Sequence, residues 1–208
     1  EEYPAGAHHI HQYLHLAKQL GASDEPTTPK LRLKNSPSKN KSKPKIGFLP
    51  GAEYGPAKRW PIEHFIETGK LLVEKHQAHL LLFGGKGDVE TATEIAAALP
   101  AERITNLAAK TSLTELVTQL AECNAVLTND TGPMHVAAAV GTPVIVPFGS
   151  TSPELTAPGL PDADDSPHQF LRTTAPCSPC FLKICPIDLR CLTSITPAQA
   201  AAAVVRTL

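Results

Sequence analysis

The sequence predicts a doubly wound α/β domain with a parallel, Rossmann-like sheet. Three observations carry this. From Lys45 onward, short apolar runs alternate with longer segments of helical periodicity. Two of the runs, Ala125–Leu127 and Val144–Val146, are unbroken by polar residues, as strands covered on both faces are. Each main run ends in a polar or glycine-bearing turn, at Gly51, Gly84, Asp130 and Gly149. In a parallel sheet those turns share the carboxyl edge of the strands, where ligands of such folds bind.

The elements follow in order. Ala7 to Leu20 reads as an amphipathic helix, with Ile10, Tyr13, Leu14, Ala17 and Leu20 at helical spacing and Gly21 as its stop. His11 and His15 are one turn apart on it, with no acidic or cysteine partner nearby to complete a metal site. Residues 22–44 carry Pro, Ser and Lys and little apolar content, which reads as a linker. Its run Lys39–Lys43 is either a solvated loop or a patch drawn to anionic lipid.

Residues 45–208 form the expected domain. Strands are predicted at Lys45–Leu49, Ala78–Phe83, Arg103–Leu107, Ala125–Thr128, Val144–Phe148 and Gln169–Arg172. Helices are predicted from Pro61 to Lys75, from Asp88 to Leu99, from Ser112 to Glu122, from Gly132 to Gly141 and from Ala198 to Leu208. Ser112 and Glu115 have capping-box spacing, and Thr196-Pro197 opens the last helix.

The composition allows a soluble globular domain and argues against some partners. Of 208 residues, 42% are hydrophobic and 19% charged, which favours neither disorder nor a fibre. A net charge of -1 lacks the broad basic footprint of a nucleic-acid binder. No apolar run is long enough to span a bilayer, and no signal peptide opens the chain. The start at Glu1-Glu2-Tyr3, without Met, suggests a processed chain or a fragment.

Two loops carry the chemistry. The stretch Thr128-Asn129-Asp130-Thr131-Gly132-Pro133-Met134-His135 runs from strand to helix. Asp130 or Thr131 can cap that helix, and Pro133 suits its first turn. Its N-terminal amides and dipole favour a phosphate or carboxylate, with His135 one turn in. The stretch Pro50-Gly51-Ala52-Glu53-Tyr54-Gly55-Pro56-Ala57-Lys58-Arg59-Trp60-Pro61 follows another strand and brings two cations. Together they suggest one anion site. Each residue has a plainer reading: Lys58 as a solvent lysine, Arg59 packed on Trp60, Glu53 as a loop carboxylate, His135 as a satisfied helix histidine.

These two stretches, with Phe148-Gly149-Ser150-Thr151-Ser152-Pro153, resemble the ADP-heptose:lipopolysaccharide heptosyltransferases, glycosyltransferase family 9, in motif, order and spacing. The cluster Cys177-Ser178-Pro179-Cys180 to Cys191-Leu192 is similar to their heptosyltransferase II branch. The resemblance covers about Lys45 to Leu208 and, more weakly, the helix near Tyr13. It implies the C-terminal, donor-binding half of a GT-B enzyme, with residues 1–21 as the end of an N-terminal half. That other half would bind the lipopolysaccharide-core acceptor and supply an Asp base. The implied reaction is inverting transfer of heptose from ADP-heptose at the inner face of the inner membrane, reached peripherally, with no cofactor required. This chain alone is then expected to bind donor without transferring heptose. Other readings are a non-catalytic nucleotide-sugar binding module and a transferase using another nucleotide sugar.

Carried over by matched position, Lys58 would meet the donor phosphates. Gly51 belongs to the same loop. Asp130, Thr131 and Gly132 would hold the diphosphate and sugar, with His135 nearby. Asp130 itself repels phosphate, so a cap or a sugar hydroxyl suits it better. Asp88, in the Gly84–Asp88 turn, is a candidate for adenosine.

Cys177, Cys180, Cys185 and Cys191 form a C-x2-C-x4-C-x5-C pattern. Four thiolates can hold a structural zinc or another metal, although no second C-x2-C pair is present. The other reading is reduced thiols without metal. In either case the cluster is expected to staple the loop after Arg172 onto the last helix, away from the phosphates.

Overall fold

A computed structural model describes residues 7–33, 37, 39–40, 42–159 and 166–208. The expected N-terminal tail at residues 1–6, Lys41 of the basic run, and 160–165 of the Pro- and Asp-rich stretch lie outside the described residues.

Six strands form one parallel sheet: β1 (Lys45–Leu49), β2 (His79–Leu82), β3 (Ile104–Asn106), β4 (Ala125–Thr128), β5 (Val144–Pro147) and β6 (Gln169–Leu171). Their order is β3-β2-β1-β4-β5-β6, which is the Rossmann order. The chain winds outward from β1 through β3, returns, and winds outward again from β4. The reversal leaves a crevice above the ends of β1 and β4. The loops after β2, β1, β4 and β5 therefore stand side by side, although far apart in sequence.

Strand alternation divides the core in two. Ile46, Phe48, Leu80, Leu82, Ala125, Leu127 and Ile145 face one way. They pack with Phe65 and Leu72 of α2 (Ile62–His76), Ile95 of α3 (Val89–Ala97) and Ala200, Ala203 and Val204 of α8 (Pro197–Arg206). Leu49, Leu81, Phe83, Val126, Val144 and Val146 face the other way. They meet Leu120 of α4 (Leu113–Glu122) and Met134 and Ala137 of α5 (Gly132–Ala139). The Ser112–Glu115 capping box forms, with Ser112 N–H donating to Glu115 at 2.7 Å and Glu115 N–H returning to Ser112 Oγ at 3.3 Å.

Two predicted features differ. Helix α1 (His9–Lys18) forms, but none of its residues is buried, and Tyr13 and Leu20 stand 71% and 90% exposed. It is tethered by His8, whose Nε2 donates to Ala157 O at 2.9 Å. Residues 22–44 also touch the domain: Leu31 N–H donates to Ala139 O at 2.8 Å, and Lys39 Nζ to Thr142 Oγ1 at 3.2 Å. Two short helices, α6 (Pro153–Thr156) and α7 (Arg190–Thr193), were not predicted, because four residues show no period.

Three histidines link stability to pH. Partial desolvation holds His79, His135 and His168 below the ordinary histidine range. The nearby charges of Lys45 and Arg103 add to this at His79. His168 Nδ1 also accepts the Val144 N–H at 3.2 Å, a bond its protonation would remove. Below the unfolded pKa of about 6.5 the unfolded chain binds more protons than the folded one, so stability rises with pH there and is lost as pH falls. Urea unfolding is expected to show a midpoint that drops between about pH 7.5 and 5.5. A midpoint that holds or rises on acidification would contradict this.

Candidate functional site

The crevice at the strand reversal is organised by Asn129, which directly follows β4. Its side chain is fully buried. Nδ2 donates to Pro50 O at 2.7 Å, and Oδ1 accepts Trp60 N–H at 3.0 Å. One amide thus holds both ends of the loop after β1. Trp60, 1% exposed, anchors the far end through Nε1–H to Ile195 O at 3.0 Å and edge contacts with Phe65 and His64. Arg59 reaches back to Ala52 O, at 3.4 Å.

Between those anchors the turn Pro56–Lys58 delivers Lys58 to Asp130. Lys58 Nζ lies 2.7 Å from Asp130 Oδ2, with side chains only 12% and 6% exposed. The ammonium also sits 4.7 Å above the Tyr54 ring. Thr151 Oγ1 donates to the same carboxylate oxygen at 2.7 Å, and Thr156 Oγ1 stands 3.5 Å from both oxygens. Asp130 is therefore not the helix cap that sequence alone offered. Thr131 occupies the cap position of α5, and its side chain makes no capping bond either. The hydroxyl and carboxylate available there are turned to other partners or to none, which leaves the start of α5 without a protein side chain on its amides. His135 lies exposed beside this mouth. Desolvation, with the charges of His8 and Lys58, keeps its ring below the ordinary range against the pull of Asp130.

Next to the ion pair opens a cleft of about 370 Å³, lined among others by Gly51, Glu53, Gly84, Gly85, Leu113 and Thr131. Asp88 forms part of its wall. Asp88 Oδ2 accepts Gly85 N–H at 2.9 Å, and a Cβ on Gly51 would come within 2.4 Å of Asp88 Oδ1. Gly51 is thus needed for close approach, and Asp88 locks the turn after β2 as well as facing the cleft. Sequence reasoning missed Asn129, Thr151 and Thr156 as functional residues. Small polar residues show no period: Asn129 and Thr151 were marked only by their motifs, and Thr156, in the four-residue α6, lies outside any motif.

Cys177, Cys180, Cys185 and Cys191 line one small cavity of about 70 Å³, shared with Ser150. Among the described residues, no three His, Cys, Asp or Glu side chains are grouped so as to hold a metal ion. The four thiols are neighbours around this one space. Cys191 is turned into the core, where its Sγ would stand 3.0 Å from a Cβ on Gly149. The loop also lies elsewhere than expected. Ser178 Oγ donates to Gly149 O at 2.6 Å, Phe181 N–H to Ser150 O at 2.7 Å, and Ala57 N–H to Lys183 O at 3.1 Å. It clamps the loops of the crevice instead of sitting remote from them, and Ala175, Cys191, Leu192 and Ile195 join it to the core shared with α8.

Residues 2–189 match the family model for glycosyltransferase family 9 (heptosyltransferase). The chain belongs to this family. It is 49% identical over 119 residues to lipooligosaccharide heptosyltransferase 2 of Haemophilus influenzae, covering 56% of this chain and 34% of that protein. It is 45% identical over 127 residues to lipopolysaccharide heptosyltransferase 2 of Escherichia coli, covering 60% of this chain and 36% of that one. The solved ADP-heptose lipopolysaccharide heptosyltransferase II of E. coli superposes with a TM-score of 0.70 at 33% identity, over 88% of this chain and 55% of that structure. The family 9 chain thus spans about half the length of that solved relative.

The thiols differ sharply in environment. Cys123 is fully buried, and burial pushes its thiol up to about 12. Cys177 is exposed. Maleimide near neutral pH is expected to label Cys177 early and Cys123 only in denaturant. Equal labelling rates in the folded protein would contradict this placement.

Proposed function

We propose that this chain is the donor-binding half of an enzyme that transfers heptose from ADP-heptose to the lipopolysaccharide inner core. The carrying observation is that Lys58 and the uncapped start of α5 meet beside the cleft, at the reversal of the sheet. The adenosine occupies the cleft, against Leu113 and the glycine turn after β2. The diphosphate crosses from the cleft over Thr131 and Gly132 to Lys58. Breaking the glycosidic bond puts negative charge on the diphosphate. A lysine and helix amides fixed beforehand stabilise that charge more in the transition state than in the bound donor.

Asp130 is the wrong charge for phosphate. It orients Lys58 and accepts a hydroxyl of the sugar. The acceptor and the base that deprotonates it belong to the other half of a two-domain arrangement, so this chain alone binds donor without transferring heptose. The similarity to heptosyltransferases 2 supports the choice of sugar and acceptor. Work at the cytoplasmic face of the inner membrane follows from that acceptor. Among the described residues no helix is long and apolar enough to cross a membrane.

Calorimetry of the 208-residue chain is expected to show ADP binding in preference to UDP and GDP. Lys58→Ala should weaken ADP by roughly 1–3 kcal/mol, the loss of a charge-assisted bond. Preference for UDP would assign a different donor, and unchanged affinity in the variant would remove Lys58 from the phosphate site.

A further inference from the structure

The ion pair poses a problem for an anion site. Lys58 is already committed to Asp130 at 2.7 Å, in a nearly buried place. A diphosphate that recruits the ammonium weakens that bond and leaves a carboxylate 6% exposed. An uncompensated buried charge is costly, so some other group must hold the carboxylate for the lysine to turn.

Thr151 is placed to do this. Its hydroxyl is buried, and it donates to Oδ2, the oxygen Lys58 also uses, at 2.7 Å. Thr156 is a weaker substitute, at 3.5 Å from either oxygen, with its hydroxyl also directed at Ser152 O at 3.3 Å. Thr151 is held from behind. The loop after β5 is clasped by Ser178 on Gly149 O and Phe181 on Ser150 O. Gly149 has no side chain because Leu192 Cγ would lie 2.6 Å from its Cβ. The hydroxyl therefore stays fixed when the lysine moves.

We propose that Thr151 is a positioning residue for the diphosphate: it stabilises Asp130 when Lys58 turns to the ligand, and so sets how readily the ammonium is released. This rests on the donor reading above. Thr151→Val keeps the shape and removes the donor. Without it Asp130 depends more on Lys58, and an anion competes less well for the ammonium.

The test is a double-mutant cycle read by calorimetry with ADP. Thr151→Val is expected to weaken ADP by about 3- to 10-fold, while Thr151→Ser, which restores a hydroxyl, stays near wild type. In a Lys58→Ala background, where no ammonium is released, Thr151→Val should change affinity by less than about 2-fold. An equal loss in both backgrounds, or a serine variant as weak as the valine one, would mean that Thr151 only supports the loop, and would overturn the proposal. If Thr151→Val does not fold, Thr151→Ala replaces it with the same expectations. Absence of ADP binding to the wild-type chain would instead refute the donor reading, and with it the anion that this role requires.

Discussion

Asn129 ties the two loops of the sheet reversal into one body. A parallel sheet brings strand ends together, but it does not by itself fix the loops beyond them. Here a single buried amide bonds Pro50 O on one end of the loop after β1 and Trp60 N–H on the other. Buried amides must find partners, because an unpaired one costs about 1–3 kcal/mol. The loop therefore has little freedom to open without exposing or orphaning these groups. Lys58 lies between the two anchors, and Asp130 is the next residue after Asn129. The positions of both charges follow from that one side chain.

The ion pair itself adds little net stability. Desolvating two charges offsets most of their attraction. Its value lies in placing a lysine that is ready to leave. Thr151 and Thr156 share the carboxylate, Tyr54 covers the ammonium, and the start of α5 keeps its amides free of side-chain caps. The pair is thus held on the carboxylate side by two hydroxyls, while the neighbouring helix start keeps amides available to an anion. The cysteine loop belongs to the same assembly, since it clasps both the Gly55–Ala57 and Gly149–Ser150 segments.

Much of the fold was legible because continuous apolar runs mark strands buried on both faces. β1, β4 and β5 are such runs, and Ser112–Glu115 and Thr196–Gln199 announce helix starts by their spacing. The strand order was not legible, and neither was the pairing of Lys58 with Asp130, 72 residues apart. Local sequence suggested that Asp130 could cap α5, because Asp before a helix usually does. A cation brought by a distant loop took the carboxylate instead. Tyr13 and Leu20 fit a helical stripe yet stand in solvent, because period alone does not say whether a face is covered. The spacing of the four cysteines suggested that they belong together, and they line one cavity beside Ser150.

The proposed diphosphate lies across the reversal, between the Lys58 loop and the start of α5. Backbone amide NMR of the isotopically labelled chain, titrated with ADP, tests this placement most directly. The largest shifts are expected at Gly51–Lys58, Gly84–Gly85 and Thr131–Met134, with the C-terminal turns of α2 and α8 unchanged. Shifts concentrated at Leu71, Lys75, His76 and Val205, which line a separate groove between α2 and α8, with the loops after β1 and β4 undisturbed, would contradict it.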